Sequence, residues 1–250
     1  MKKPILILLL MAFSCSLHAQ KVKVAAAADL RFAMDEIVMQ YKNVYPNADI
    51  EVIYGSSGNA FTQISNGAPY DIYFSADIMY PQKLHEAGLT ATVPKLYAIG
   101  RIVLWSSKLD VSKGMNICEA NTKAKIAIAS PDHAPYGKKA VESLQYYKIY
   151  DKVKPRLVYG DNISQAAQFC LTGNADIGIL ALSLALSPLM RKHGKYFLID
   201  EKSHEPLMQG FVILNRAKDN KLALAFAEYI EASPARKIFE KYGFTLPIQP

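Results

Sequence analysis

Short apolar runs alternate along the chain with stretches in which apolar residues recur every three or four positions. The run at 22–28 is typical of a buried strand, and Phe32, Ile37 and Tyr41 then return at helical spacing. The same criteria predict further strands at 50–54, 71–75, 97–106, 126–129, 157–159, 176–180 and 211–214. They predict further helices at 60–66, 81–87, 138–147, 163–171, 222–230 and 234–242. This alternation predicts an α/β fold with mostly parallel sheets.

The connections between these elements contain no linker rich in glycine, serine or proline. If the chain forms two lobes, strands must therefore join them. We expect it to cross from one lobe to the other at the long apolar run 97–106 and again at 209–215.

Composition places the chain among globular proteins. Its 250 residues suit one large domain or two of ordinary size, and 51% hydrophobic with 20% charged residues exclude disorder or a coiled coil for the bulk of it. The formal net charge is +7, but the basic residues are scattered along the chain. We therefore expect no nucleic-acid partner.

Residues 1–19 are predicted to be a secretory signal. Two lysines precede an apolar run at 4–13, which is too short to span a bilayer of ~30 Å, and Ala19 is a suitable last residue before cleavage. The alternatives are an N-terminal anchor helix or a lipoprotein anchored at Cys15, although the residues before Cys15 match a lipobox poorly. We expect cleavage near Ala19 and a soluble periplasmic protein.

The mature chain keeps two cysteines, Cys118 and Cys170. Export implies an oxidising compartment, in which two cysteines could form a disulfide. Cys170 lies in an apolar helical stretch, so we expect a buried free thiol there instead. No cysteine spacing indicates a metal or redox site.

Four predicted strand-to-helix turns carry small or hydroxyl-bearing residues. They are 28–30, 55–59, 135–137 and 160–163. In open α/β sheets, ligands lie beyond the carboxyl ends of strands, and each helix start exposes unpaired N–H groups at the positive end of its dipole. Several such turns aimed at one point form an anion site that needs no cationic side chain.

The turn at 55–59 is the strongest candidate of the four. Its glycines allow the backbone to approach a ligand closely, and Ser56 and Ser57 add neutral hydroxyl donors. The alternative is that these serines only cap the helix that follows. The composition of the turns does not identify the ligand.

A set of short segments follows in order across the mature chain. These are 24–30 (VAAAADL), 54–59 (YGSSGN), 66–71 (NGAPYD), 74–77 (FSAD), 130–137 (SPDHAPYG), 160–163 (GDNI), 175–178 (ADIG) and 241–244 (KYGF). Each segment alone is weak, but the combination resembles the periplasmic molybdate-binding proteins of ABC transporters.

The resemblance implies a two-lobed periplasmic-binding-protein fold of type II, with the ligand cleft between the lobes. We expect lobe 1 to comprise 20–100 and 210–250, and lobe 2 to comprise 101–209. The implied function is to capture molybdate, and also tungstate, and to deliver it to an inner-membrane ABC permease. The resemblance further implies a monomer with no catalytic residue, no cofactor and no directly bound metal cation.

The oxyanion-binding positions of that family fall on residues in the four turns. They are Ala28, Asp29, Ser57, Tyr136 and Ile163, with Ser56, Gly58 and Asn162 in supporting roles. Some members place a tyrosine where Ala181 stands here. We expect the hydroxyl of Tyr136, at a position where those members carry a small residue, to replace the missing contact.

Asp29 stands where the family commonly has a small hydroxyl or amide side chain. A carboxylate ~4 Å from a unit negative charge costs about 4 kcal/mol at an effective dielectric of about 20, and roughly twice that against a dianion. We therefore expect the Asp29 side chain to turn away and cap its helix, or to pair with Arg31, while the N–H groups of residues 29 and 30 face the ligand. If the side chain faces the ligand, either it or the anion must carry a proton.

Three alternatives remain open on the sequence. The first is another tetrahedral oxyanion, either the smaller sulfate or a protonated phosphate that uses a turned-in Asp29 as acceptor. The second is a periplasmic hydrolase or transferase using Asp29, Asp132 or His133, although no motif places a base beside a nucleophile. The third is a sensor module on the same fold. We expect His133 to stabilise a turn and Trp105 to lie in the core.

Overall fold

The computed structural model describes residues 21–120 and 122–247. The predicted signal peptide, with Cys15 and the cleavage point at Ala19, lies outside the described residues and stays a prediction. Within those two ranges, no helix is both long and apolar enough to cross a membrane.

Strands and helices alternate through most of the chain. In chain order the strands are β1 (Lys21–Ala27), β2 (Asp49–Gly55), β3 (Ile72–Ser75), β4 (Lys95–Gly100), β5 (Ile102–Ser106), β6 (Ile126–Ala129), β7 (Leu157–Gly160), β8 (Ile177–Ala181), β9 (Lys195–Leu198) and β10 (Leu207–Ile213). The α-helices are α1 (Arg31–Val44), α2 (Ser57–Ser65), α3 (Met79–Glu86), α4 (Asn116–Ala120), α5 (Pro135–Tyr146), α6 (Tyr150–Val153), α7 (Ile163–Leu171), α8 (Leu182–Ala185), α9 (Pro188–His193), α10 (Lys221–Glu231) and α11 (Ser233–Lys241). Single 3₁₀ turns lie at Ala28–Leu30, Val111–Lys113, Lys154–Arg156, Glu201–Ser203 and Asn215–Ala217.

Two five-stranded sheets organise the fold. In the first, ordered β2-β1-β3-β10-β4, β1 is parallel to β2 and β3, whereas β10 is antiparallel to β3 and β4. In the second, ordered β7-β6-β8-β5-β9, β6 is parallel to β7 and β8, whereas β5 is antiparallel to β8 and β9. The predicted α/β class is confirmed. The sheets are mixed rather than mostly parallel, because β5 and β10, which follow the crossings between sheets, run against the parallel strands.

The apolar run predicted as one strand at 97–106 forms two strands in different sheets. β4 ends at Gly100 in the first sheet, and β5 begins after Arg101 in the second. The chain returns to the first sheet between β9 and β10. We expected the second crossing at 209–215. The chain crosses earlier than that, because residues 209–213 already lie inside β10. The lobe boundaries at 100 and 210 stay a prediction.

The first strand is buried on both faces, which explains its continuous apolar run. Val24 belongs to a cluster with buried side chains of α1, α10 and α11, including Phe226 and Phe239. Its neighbour Ala25 belongs to a second cluster, formed with α2 and α3. Helices therefore cover both faces of the first sheet.

A further hydrophobic cluster surrounds the second sheet; it contains Trp105, Cys118 and Cys170 and extends to Ala27 at the end of β1. Trp105 is completely buried, as expected of a core residue. Both cysteines are free and buried, and burial raises the pKa of each thiol to about 12. The expectation of a buried free thiol at Cys170 is thus confirmed.

Candidate ligand-binding site

A small cavity lies where strand-to-helix junctions of the two sheets meet. Its empty space is about 200 Å³ with the open mouth included, and its wall is formed by Ala27, Ala28, Asp29, Gly55, Ser56, Ser57, Ala76, Ala134, Pro135, Tyr136, Asn162 and Ile163. The structure thus brings together all the binding positions that the resemblance implied, together with Ser56 and Asn162. Gly58 is not part of this wall.

The hydrogen-bond donors offered by the wall are main-chain N–H groups and hydroxyls rather than cations. The helices α2, α5 and α7 begin at Ser57, Pro135 and Ile163, all of which line the cavity. The first N–H groups of a helix have no partner within it and lie at the positive end of its dipole. Because proline has no N–H group, Tyr136 supplies the first donor of α5. None of the wall residues is basic, so neutral donors alone would hold an anion here.

Two serine hydroxyls add to these donors. The Oγ atom of Ser57 accepts a hydrogen bond from the N–H group of Ala76 at 2.9 Å, which leaves its own hydrogen free to donate. The Oγ atom of Ser56 is buried and has no hydrogen-bond partner among the described residues. Ser56 occupies the N-cap position of α2 without capping it through its side chain, so the capping alternative is wrong for this residue. Its free hydroxyl makes Ser56 a candidate donor rather than a supporting residue.

The two sides of the cleft touch at its rim. The N–H group of Gly58 donates to the carbonyl oxygen of His133 at 2.8 Å, and the Asn59 side chain donates to the Asp161 carboxylate at 3.1 Å. A Cβ atom on Gly58 would lie 2.7 Å from that carbonyl oxygen. Gly58 therefore supports closure of the cleft. His133 also contacts the carbonyl oxygen of Asp161 at 2.9 Å through Nε2, which fits the expected structural role.

Asn162 and Ser164 fix the junction before α7. The side chain of Asn162 caps the helix by accepting a hydrogen bond from the N–H group of Gln165 at 3.1 Å. The hydroxyl of Ser164 donates to the carbonyl oxygen of Ala28 at 2.9 Å. The start of α7 is therefore bonded directly to the turn after β1, across the cleft.

Asp29 is one of the wall residues, and its buried side chain is bonded to two other side chains. Its Oδ2 atom accepts hydrogen bonds from the Tyr136 hydroxyl at 2.9 Å and from Nε2 of Gln209 at 2.7 Å. Its Oδ1 atom is buried without a hydrogen-bond partner among the described residues. The expectation that this side chain caps its helix or pairs with Arg31 is wrong. The 3₁₀ turn has no side-chain cap, and Arg31 lies exposed at the start of α1.

The hydroxyl of Tyr136 does not take the role expected of it. A phenol has one hydrogen, and here that hydrogen is donated to Asp29, while the oxygen accepts a hydrogen bond from Gln209 Nε2 at 3.1 Å. The hydroxyl therefore cannot also donate to a ligand in this arrangement. What Tyr136 offers the cavity is its main-chain N–H group.

Gln209 and Tyr97 complete a buried network that the sequence did not predict. The hydroxyl of Tyr97 donates to Oε1 of Gln209 at 2.6 Å. The register of β10 shifts between Gln209 and Gly210, and such a bulge redirects a side chain. Gln209 is completely buried in an otherwise largely apolar strand. That single amide was the available signal, because a buried polar side chain requires a partner.

Burial raises the pKa of the Asp29 carboxyl from 3.8 to about 6. Hydrogen bonds from Gln209 and Tyr136 oppose this rise, as do, less strongly, the nearby main-chain N–H groups of Asp29 and Leu30. The N–H groups of residues 29 and 30, which we expected to face the ligand, therefore act on this carboxyl. No basic side chain is among the causes of the shift. The carboxyl consequently exchanges a proton close to neutral pH.

The geometry does not support the hydrolase or transferase alternative. Asp132 is exposed and His133 lies at the rim, and neither is part of the cavity wall. The described residues form no group of three or more histidine, cysteine or acidic side chains that could hold a metal ion. A nucleophile needs a base within hydrogen-bond reach, and the carboxyl of Asp29 is bonded instead to a phenol and an amide.

Comparison with known proteins agrees with this geometry. A family model described as bacterial extracellular solute-binding protein matches residues 22–245. The molybdate-binding protein ModA of Azotobacter vinelandii is 34% identical over 235 residues, covering 93% of each chain. ModA of Rhodobacter capsulatus is 33% identical over 192 residues, covering 76% of this chain and 75% of that protein. The solved structure of the Azotobacter vinelandii periplasmic molybdate-binding protein matches with a TM-score of 0.85 at 29% identity, covering 91% of this chain and 100% of that one. The predicted two-lobed fold of type II is confirmed by this match.

Proposed function

Because the chain belongs to the family of bacterial extracellular solute-binding proteins, we propose that it captures molybdate outside the cytoplasm and passes it to an ABC permease in the inner membrane. It is a binding protein rather than an enzyme, and molybdate is its cargo rather than a cofactor. The relatives named as molybdate-binding proteins, at 33% and 34% identity, support this ligand.

One observation carries the proposal: the cavity wall combines three helix N-termini and two serine hydroxyls with no basic side chain. A tetrahedral dianion has four oxygens that accept hydrogen bonds from different directions, and the junctions after β1, β2, β6 and β7 approach from both lobes. The space between these walls is small, about 200 Å³ with its open mouth included, and it leaves little room for a larger organic ligand. The size favours an inorganic oxyanion.

We assign the direct contacts to the hydroxyls of Ser56 and Ser57 and to the main-chain N–H groups of Tyr136 and Ile163, with Ala28 as a further wall residue. Ser56 joins this set because its buried hydroxyl is otherwise unpaired. An unpaired buried hydroxyl costs about 1–3 kcal/mol, which a ligand oxygen would remove.

Phosphate is the second candidate, and Asp29 is the observation that favours it. A protonated phosphate needs an acceptor, and Oδ1 of Asp29 is buried without a partner among the described residues. Sulfate has no such proton at neutral pH, so it gains nothing from an acceptor. It is also smaller than molybdate, so its oxygens would not reach all the hydrogen-bond donors of the cavity.

A thermal-shift and calorimetry panel separates these ligands. Mature protein is measured with molybdate, tungstate, sulfate, phosphate and citrate at one pH and ionic strength. We expect molybdate and tungstate to stabilise it, by about 4 kcal/mol at a thousandfold excess over Kd, and citrate to have no effect. Stronger stabilisation by sulfate or phosphate than by molybdate would overturn the assignment.

We further propose that the mature protein begins after Ala19 and is a monomer, and that its lobes divide near residues 100 and 210, with the whole of β10 in lobe 1. Mass spectrometry of protein exported by its own signal sequence measures where the mature chain begins. Light scattering with and without molybdate measures the molar mass and so tests whether the protein is a monomer. Cleavage immediately before Cys15, with a lipid adduct on that residue, would favour the lipoprotein alternative.

A further inference from the structure

A buried carboxyl group on a wall residue of an anion cavity is unexpected, because like charges repel. Resting on the proposed function, we propose that Asp29 takes up one proton when the oxyanion binds, so that the loaded cavity contains a neutral acid instead of a carboxylate. One hydrogen ion from solvent adds to the carboxylate, and no bond of the anion forms or breaks. Capture of the dianion is then coupled to proton uptake.

The hydrogen bonds of Asp29 determine where the proton goes. Oδ2 accepts from the Tyr136 hydroxyl and from Nε2 of Gln209, so it already has two donors. Oδ1 is buried and has no partner among the described residues. Protonation at Oδ1 therefore breaks no hydrogen bond of the network. It also removes the negative charge from a buried carboxyl group that belongs to a wall residue of the cavity.

The groups around Asp29 offer no other way to balance its charge. Tyr136 reaches it from α5 and Gln209 from β10, while Tyr97 on β4 acts through Gln209. Ser183 on α8 donates to the main-chain carbonyl oxygen of Asp29 at 2.8 Å. Burial, together with the charge of Asp29, raises the pKa of both tyrosines well above the ordinary value, so both stay neutral.

The proton is available in the physiological range. Burial brings the pKa of the Asp29 carboxyl to about 6, and no basic side chain is among the causes of that shift. A dianion in the same cavity favours the neutral acid further, since a nearby like charge disfavours ionisation. Free protein at neutral pH therefore has largely ionised Asp29, and loaded protein has the acid.

Isothermal titration calorimetry with sodium molybdate tests this directly. Titrations at pH 7 in two buffers of different ionisation enthalpy give the number of protons taken up per anion, and we expect roughly 0.5–1. Titrations between pH 5.5 and 7.5 give the affinity profile, which we expect to weaken about tenfold or more as pH rises. Asp29→Asn resembles the neutral acid in shape and should show no uptake, a flat profile and tighter binding than wild type at pH 7.5. It also controls for protonation of the anion itself.

Two further variants complete the design. Asp151→Asn removes an exposed carboxylate on α6 and should keep the wild-type proton uptake. Tyr136→Phe removes a hydrogen bond that lowers the pKa of Asp29, so the midpoint of its affinity profile should move to higher pH. This variant keeps the proposal testable if Asp29→Asn does not fold.

The outcomes distinguish this inference from the function on which it rests. Wild-type protein that binds molybdate without proton uptake and with a flat profile overturns the inference and leaves the function standing. Proton uptake that persists in Asp29→Asn overturns it as well, as does an unshifted midpoint in Tyr136→Phe. Absence of molybdate binding at every pH refutes the proposed function instead.

Discussion

Gly58→Ala is expected to weaken molybdate binding without weakening the ligand-free fold. In the closed arrangement, the added Cβ atom would lie 2.7 Å from the carbonyl oxygen of His133 and 3.0 Å from its Cα atom. Both are main-chain atoms, so no side-chain rotation can relieve the overlap. The two lobes must move apart at this point, and the 2.8 Å hydrogen bond from the Gly58 N–H group to His133 is lost with the contact.

Two contributions give the expected loss of binding free energy in Gly58→Ala. The lost hydrogen bond is worth about 0.5–1.5 kcal/mol, and forcing a methyl group into a packed contact costs about 1–3 kcal/mol. Together they predict a loss of about 2–4 kcal/mol, which is roughly 30- to 1,000-fold in Kd at about 1.4 kcal/mol per tenfold. When the cleft opens, the strain disappears. Position 58 lies in the first turn of α2, where alanine is favoured over glycine by up to about 1 kcal/mol.

Calorimetry with molybdate gives the Kd, and thermal melting without ligand tests the fold. Asn59→Ala is the matched comparison, because it removes the exposed Asn59–Asp161 hydrogen bond at the same rim without adding an atom. We expect it to change affinity by less than about threefold, as exposed contacts contribute little. If Gly58→Ala binds molybdate within threefold of wild type, the Gly58–His133 contact is not part of the loaded state. If it melts several degrees lower without ligand, the damage lies in α2.

Ser56→Ala and Ser57→Ala are each expected to weaken molybdate binding by about 1–3 kcal/mol, because a buried ligand oxygen loses its donor; an affinity unchanged in calorimetry would remove that serine from the site. Gly100→Ala is expected to destabilise the protein by about 1–3 kcal/mol through overpacking, since its Cβ atom would lie 2.6 Å from Nε2 of Gln209; a wild-type melting temperature would contradict this. Stability of the ligand-free protein should also depend on pH through Asp29, whose pKa is raised from 3.8 to about 6. The folded state then holds the proton more tightly than the unfolded chain, so about 3 kcal/mol of stability is present below about pH 4 and is lost as pH rises through 6. The difference in urea-unfolding free energy between wild type and Asp29→Asn at pH 4 and pH 7 isolates this effect, and identical pH slopes in the two proteins would refute it.

Local sequence patterns were sufficient to locate the turns that form the cavity. The segments 28–30, 55–59, 135–137 and 160–163 were predicted from apolar runs followed by small residues, and each contributes to the wall. This succeeds because strand and helix periodicity is a property of a few neighbouring residues. Glycine, proline and serine mark the ends of such elements for equally local reasons.

The contacts of Asp29 could not be predicted in the same way. Its partners Tyr136 and Gln209 lie 107 and 180 positions away in sequence, and nothing near Asp29 identifies them. Repulsion from the ligand was a sound reason to expect the side chain to turn away, but repulsion does not identify the groups to which the side chain turns. The expected cap and the expected pair with Arg31 were wrong because they considered only neighbours in sequence.

Two errors in the predicted strands have similar causes. The run 97–106 is apolar apart from two polar positions, so its pattern does not show that the chain changes sheets at Arg101. Strand β9 was missed because it lies at the edge of the second sheet and is mostly exposed. Its residues Tyr196, Phe197 and Leu198 do form a short apolar run, but no strand-to-helix alternation follows it to mark it as a strand.

The network around Asp29 connects lobe closure with protonation, because its hydrogen bonds come from both sides of the cleft. Gln209 lies in the same sheet as β1, so its bond to Asp29 can persist when the cleft opens. Tyr136 belongs to α5, which follows β6 of the other sheet, so its bond to Asp29 must break. Loss of the anion also removes the like charge that favoured the neutral acid. The proton therefore leaves as the anion leaves, and a rise in pH favours release over recapture.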